Sequence, residues 1–268
     1  MKDILSHFGW QALAFTRELA TQQHLVLPQY EAALAGLLEA LENRMCCGLI
    51  APAGTGKTGV LRKLRSQLPE ARYRISYVAI TNLSRRDLAR ELATALGLPP
   101  AGSYPMLVHR LQEAFRGSLD LESRRPVIIL DDAHEIRPEV LGILKVLTNF
   151  EMDSRLVVSV VLAGQLPLRD LLNRSDLEDV ARRLAHVATL SPLSRTELAS
   201  YLKHRVTIVG GKSLPLDTQA IEAIFEMGRG NLRATDHLAL KALQLAYAEG
   251  AKTADANHVA AARGVLWA

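Results

Sequence analysis

Aromatic residues are scarce in this chain: Phe, Trp and Tyr together make up 5% of 268 residues. Base-stacking platforms of the kind that hold single strands are therefore not expected to dominate any nucleic-acid contact. Cysteine is nearly absent. Cys46 and Cys47 are adjacent in an apolar run, and neighbours on a strand point to opposite faces, so they suit neither a disulfide nor a metal site. A reduced, cytoplasmic setting fits that usage. No apolar run approaches the roughly 18 residues that span a bilayer, and MKDILSHFGW lacks the apolar stretch of a signal peptide. Charge of one sign is not in large excess either. The 32 Lys and Arg against 28 Asp and Glu give +4, which permits a polyanionic partner without requiring one.

The chain does hold a regular alternation. MCCGLIA, RYRISYVAI, PVIILDD, RLVVSVVLA and HVATL read as short strands, apolar on both faces as buried parallel strands are. Helical patterns lie between them at 57–68, 84–97, 104–117, 137–149 and 166–183, and QYEAALAGLLEALENR forms a helix opened by Pro28. This predicts an α/β fold with a doubly wound parallel sheet. After Ser191-Pro192 the pattern becomes helical throughout, in SRTELASYLKHRV, LDTQAIEAIFEMG, NLRATDHLALKALQLAYAEG and TADANHVAAARGV. The expected division is a core at 28–191 and a small all-helical module at 192–268. Residues 1–27 have no assigned role; Ala12 to Ala20 is the helical stretch expected there.

The first chemical signal is APAGTGKTG. A phosphate loop needs a glycine-rich turn between a strand and a helix, so that backbone N–H groups face phosphate oxygens. Its Lys must reach the β- and γ-phosphates, and a hydroxyl must meet Mg²⁺. Ala53, Gly54, Thr55, Gly56, Lys57, Thr58 and Gly59 form the expected ATP-binding stretch, with Thr58 on the metal. Ala51 stands where the pattern has its first glycine, which is tolerable at a negative φ. In VIILDDAHEI a buried strand ends in acid. Asp131 is placed to share Mg²⁺ and Asp132 to polarise the attacking water, although paired aspartates also occur in plain solvated turns. Asp132 is one methylene shorter than the glutamate usual in such sites, which points to slow hydrolysis.

Three further positions complete the set. Gln165, after LVVSVVLAG, can orient water near the γ-phosphate or be a simple loop amide. Arg182 and Arg183, just before HVATL, can act as an arginine finger toward a neighbouring subunit or form a solvated helix end; spacing does not choose between the two. Arg233, in GRGNLRATDHL, can touch phosphate from the helical module or lie on the surface.

In order, APAGTGKT, VIILDDAHEI, VVLAGQLPLRDLL, ARRLAHVATLSPLSRTELASYLKHRV and GRGNLRATDHLALKALQLAYAEG resemble an AAA+ ATPase of the ExeA-like group, over about residues 28–268. The resemblance implies an AAA+ P-loop core with a parallel sheet flanked by helices and a C-terminal helical lid. Compact members resemble ATP-dependent regulators of transposition, the TnsC, TniB and MuB kind. Secretion-type members usually continue into a membrane segment and a wall-binding domain, and this sequence ends at Ala268 without either. The compact kind is accordingly the expectation.

That resemblance implies a ring or filament of this protein around double-stranded DNA, held by backbone contacts without sequence preference. It also implies a transposase partner, a possible target-selector protein, and no membrane. The DNA-facing positions it implies are TNLSRRDLAR and AGSYPMLVHR, hence Arg85, Arg86, Arg90, Ser103 and Tyr104. Asp87 and Glu91 beside those arginines fit a plain solvated helix equally well. The competing expectation is a cytoplasmic ATPase of a secretion or envelope assembly that never touches DNA.

Overall fold

Runs of Val, Ile and Leu that have no polar face can only become the middle of a sheet covered on both sides. The computed structural model describes residues 2–16, 18–80, 82–117, 124–148 and 157–266. Five parallel strands appear among them: β1 (Cys46–Ile50), β2 (Tyr73–Ala79), β3 (Arg125–Asp131), β4 (Ser159–Gly164) and β5 (Leu184–Thr189). Their order is β2-β3-β4-β1-β5. The three inner strands are buried along almost their whole length, whereas β2 and β5, the end strands among the described residues, mix buried and exposed positions.

The helices in chain order are α1 (Lys2–Phe8), α2 (Pro28–Glu42), α3 (Lys57–Gln67), α4 (Arg85–Ala95), α5 (Tyr104–Arg116), α6 (Pro138–Leu141), α7 (Ile143–Thr148), α8 (Pro167–Leu172), α9 (Glu178–Ala181), α10 (Arg195–Thr207), α11 (Thr218–Gly228), α12 (Leu232–Ala248) and α13 (Ala256–Leu266). Two cores sandwich the sheet. On one face Ile128, Leu130 and Leu162 meet Leu88, Leu92, Leu111 and Phe115. On the other Leu49, Ile129 and Val161 meet Leu34, Leu37, Leu61 and Leu64. Residues 128 and 129 go to opposite cores because strand side chains alternate. Cys46 and Cys47 divide the same way, and burial raises both thiols, so neither is a thiolate.

The described chain divides into two compact units, one of Pro28–Pro52 and Lys57–Leu190, the other of Met1–Leu27, Ala53–Gly56 and Ser191–Ala268. The helix expected at Ala12 to Ala20 is not formed by the described residues there; the first helix is α1, several residues earlier. The apolar residues of 12–20 are used differently, with Ala14 and Phe15 buried in irregular backbone. The helices expected over 137–149 and 166–183 are each interrupted, α6 by Gly142 before α7, and α8 by the segment at Asn173 and Arg174 before α9. Residues 149, 155 and 156 of the expected elements, and Thr81, lie outside the described residues.

The opening segment has a clear structural role in the helical unit. The Arg205 guanidinium, 5% exposed, donates to Thr16 O at 2.6 Å, to the Tyr201 hydroxyl at 2.7 Å and to Asp236 Oδ2 at 3.1 Å. Tyr201 in turn donates to Asp236 Oδ1 at 2.9 Å. Removing the cation strands a buried carboxylate, so Arg205→Ala is expected to lower stability by roughly 3–5 kcal/mol, read as a shifted urea midpoint. Burial outweighs the pull of Arg205 and pushes Asp236 from 3.8 to about 6. The folded-state value is the higher one, so this contribution to stability is complete below 3.8 and lost as pH rises through about 6. Comparison with Asp236→Asn across that range isolates it.

Candidate nucleotide site

Parallel strands bring their carboxyl ends to one edge, and there the sheet order sets β3, β4 and β1 side by side. Each ends at residues expected to form the site. β1 leads through Ala51 to the phosphate loop and α3, β3 ends on Asp131 and Asp132, and β4 between them ends at Gly164 before Gln165. Ala51 is not among the positive-φ residues, so its side chain is no obstacle where the pattern has glycine. Gly54 and Gly56 do have positive φ, 71° and 96°, which a Cβ would strain. A side chain at Gly54 would also strike Asn231, whose amide caps α12 through Ala234 N and donates to Ala53 O. The N–H of Arg233 meets Gly54 O at 3.3 Å, so the first turn of α12 is fastened to the phosphate-loop turn within the helical unit. Arg233 itself is exposed.

In the α/β unit, Lys57 is the first residue of α3, its side chain 10% exposed, and Nζ stands 3.9 Å from Asp132 Oδ1. Thr58 is exposed beside it. Asp131 is buried with both oxygens engaged: Oδ1 accepts from the N–H of Asp132 at 2.9 Å, and Oδ2 from the Tyr77 hydroxyl at 2.9 Å. Each oxygen retains a lone pair, so the carboxylate is oriented and still able to bind a cation. Burial and the adjacent Asp131 push the Tyr77 phenol up to about 12, which keeps it a donor at neutral pH. Among the described residues no group of three or more His, Cys, Asp and Glu is placed to hold a metal. Mg²⁺ does not need one, since phosphate and water supply most of its ligands; Thr58 and Asp131 are the protein oxygens that fit.

Asp132 takes a left-handed conformation, φ 54°, which aspartate tolerates better than most residues. Its carboxylate is half exposed and free of the sheet. Gln165 is half-buried, and its amide nitrogen lies 2.8 Å from His134 Nε2. Lys57, Asp131, Asp132 and Gln165 are thus gathered at one edge. Arg182 and Arg183 are not. They precede β5 and stand at the opposite end of the sheet, near the start of β1, where Arg183 pulls against the rise of the Cys46 thiol. Arg182 is exposed and paired with Glu178 at 2.6 Å.

A second cluster forms on α4 and α5. Ser84 caps α4. Arg86 is exposed and donates to Gly102 O at 3.0 Å, which sets it beside Ser103. Ser103 occupies the N-cap position of α5 with no side-chain cap bond. Tyr104 follows, packed partly on the core. Arg110 donates to Pro99 O and Ala101 O in the same loop. Arg90 pairs with Asp87 at 3.6 Å, and Arg85 is drawn elsewhere, onto Glu139 O at 2.6 Å. Sequence reasoning missed Tyr77, His134, Asn231 and Arg110. For His134 the signal was its place in DDAHE, two residues past Asp132; for the other three the partners are 54, 178 and 9 to 11 residues away.

Residues 40–172 match a family model described as an AAA domain. Over 204 residues, 75% of this chain, the sequence is 29% identical to General secretion pathway protein A of Aeromonas hydrophila. The match covers 37% of that protein, so the chain spans little more than a third of this curated relative. Among solved structures the fold is similar to CDC6P from Pyrobaculum aerophilum, with TM-score 0.74, 20% identity, and coverage of 94% of this chain and 70% of that one. It is similar to the ORC1 protein of Aeropyrum pernix in complex with DNA, at 0.68, 20%, 94% and 68%. The RuvB Holliday junction branch migration motor of Thermotoga maritima gives 0.59, 18%, 94% and 73%. At these identities the solved structures speak for the fold alone, an AAA+ P-loop fold with a helical C-terminal part. The match to an AAA domain over residues 40–172 supports an AAA+ ATPase, and a P-loop fold of this kind implies nucleotide binding. No helix among the described residues is long and apolar enough to cross a membrane.

Proposed function

We propose that this chain uses its AAA+ P-loop fold as an ATP-dependent assembly switch on duplex DNA, binding Mg²⁺-ATP, polymerising in the cytoplasm as a ring or filament, and directing a transposase to its target. The observation that carries the DNA half is the pairing of Arg86 with Gly102, which places an exposed guanidinium beside the uncapped Ser103 hydroxyl at the start of a 13-residue helix. A cation, a free hydroxyl and helix N–H groups together make a phosphate site. Arg85, turned onto Glu139, is a weaker candidate than its neighbour. A fold neighbour solved with DNA is consistent with this use.

The self-assembly half rests on Arg182 and Arg183. A strand of five residues separates the start of β1 from its phosphate-loop end, on the order of 13 Å or more, so these arginines do not serve their own site. They serve a neighbour's, with ATP between subunits. Arg233, whose backbone N–H meets Gly54 O within the helical unit, is the proposed nucleotide contact of that unit. Asp132 polarises water slowly, so that ATP holds the assembly and hydrolysis releases it. The second reading, an ATPase of a secretion or envelope assembly, is favoured by the curated relative.

Duplex binding with and without ATP across a salt series separates the two. Unrelated sequences should bind about equally, with affinity falling steeply as salt rises. Arg86→Ala should lower the magnitude of the log–log slope by about one per bound subunit. Ser103→Ala should weaken binding with the slope nearly unchanged, since a hydroxyl releases no counterion. Absence of ATP-dependent binding at low salt would leave the secretion-type reading standing.

A further inference from the structure

We infer that His134 is a positioning residue that fixes which end of the Gln165 amide faces the reacting water, an inference that rests on the ATPase reading above. His134 sits on the single turn after Asp132, its side chain only 8% exposed. It occupies this place because β4 ends in glycine: a Cβ on Gly164 would come within 3.1 Å of His134 N. The imidazole lies between two groups already assigned to the reaction. Nε2 is 2.8 Å from Gln165 Nε2, and Nδ1 is 4.0 Å from Asp132 Oδ1.

Two nitrogens that close require a donor and a lone pair. The amide NH₂ can only donate, so imidazole Nε2 accepts and the ring proton sits on Nδ1, which is buried without a hydrogen-bond partner, 4.0 Å from Asp132 Oδ1. Glu135 Oε1, 3.4 Å from the same Nε2, can only accept and so favours the opposite, Nε2–H ring, but it is more distant and on an exposed side chain. With its NH₂ held by His134, Gln165 keeps Oε1 as its uncommitted end. A carbonyl oxygen repels a γ-phosphate and accepts from a water O–H. His134 therefore holds Gln165 as a water-orienting acceptor and keeps it from becoming a phosphate-binding donor.

Three variants and one spectrum test this. A glutamine at 134 can reproduce the acceptor at the Nε2 position, an asparagine only the Nδ1 position, and a leucine neither. His134→Gln should keep kcat within about twofold, while His134→Asn and His134→Leu lose about tenfold or more, the scale of misplacing a reacting partner. ATP affinity and melting midpoint should stay near wild type in all three. Equal losses in all three, or retention in Asn with loss in Gln, would overturn the inference. Imidazole ¹⁵N shifts should show His134 as the neutral Nδ1–H tautomer, moving toward Nε2–H in Gln165→Leu; an Nε2–H ring in the wild type overturns it too. The spectrum does not depend on turnover. A wild type with no hydrolysis but the Nδ1–H tautomer would count against the ATPase reading and for the His134–Gln165 bond.

Discussion

Lys57→Ala is expected to weaken ATP binding by about a hundredfold or more, on the order of 2.7 kcal/mol, as read by titration of a fluorescent ATP analogue with Mg²⁺. The side chain is 10% exposed, and its Nζ is close to one carboxylate, Asp132, at a distance too long for a tight pair. That cation is placed at the phosphate edge to move onto the β- and γ-oxygens; without it the N–H groups of the loop and of α3 are left to hold them. Folding should survive, because Lys57 belongs to neither core. Affinity near wild type would remove the phosphate-loop assignment. The same variant tests the finger. If Arg183 acts on a neighbour, Lys57→Ala protein supplies intact arginines to the competent sites of Arg183→Ala protein, and the mixture regains part of the lost ATPase activity. A mixture no more active than its components moves the assignment to Arg182.

Much of this site was legible because its parts are local. Gly54, Gly56, Lys57 and Thr58 fall within five residues between a strand and a helix, and Asp131 ends an apolar run, so spacing alone carried the assignment. The inner strands were readable from composition, since being covered on both faces leaves no polar position. The edge strands β2 and β5 were harder, because alternation in Tyr73–Ala79 is masked by apolar residues on the open face, Tyr77 among them. What stayed hidden depends on register. Tyr77 reaches Asp131 only because β2 pairs with β3 so that Ala79 lies opposite Asp131. Residues 1–27 were opaque for another reason. Trp10, Ala14 and Phe15 are buried in irregular backbone, and their anchor, Arg205, lies 189 residues from Thr16.

Asp132→Asn should separate binding from hydrolysis. Asparagine is as comfortable as aspartate in the left-handed region, so the φ of 54° and the turn that carries His134 should persist. What is lost is the negative charge that polarises water, worth about 10²–10⁴ in rate for a positioned general base. ATP affinity should hold or improve, because a carboxylate beside a triphosphate repels it and because Lys57, 3.9 Å away, is released entirely to the phosphates. ATP-bound assemblies on DNA should then outlast those of the wild type, visible as filaments that persist after the nucleotide supply is withdrawn. The opposite substitution sharpens the test. Asp132→Glu restores the missing methylene and should speed hydrolysis, set against roughly 1–2 kcal/mol for a longer side chain at a left-handed position. Wild-type turnover in Asp132→Asn would dismiss Asp132 as the base and pass the role to Glu135, whose side chain is 58% exposed and within 3.4 Å of His134 Nε2.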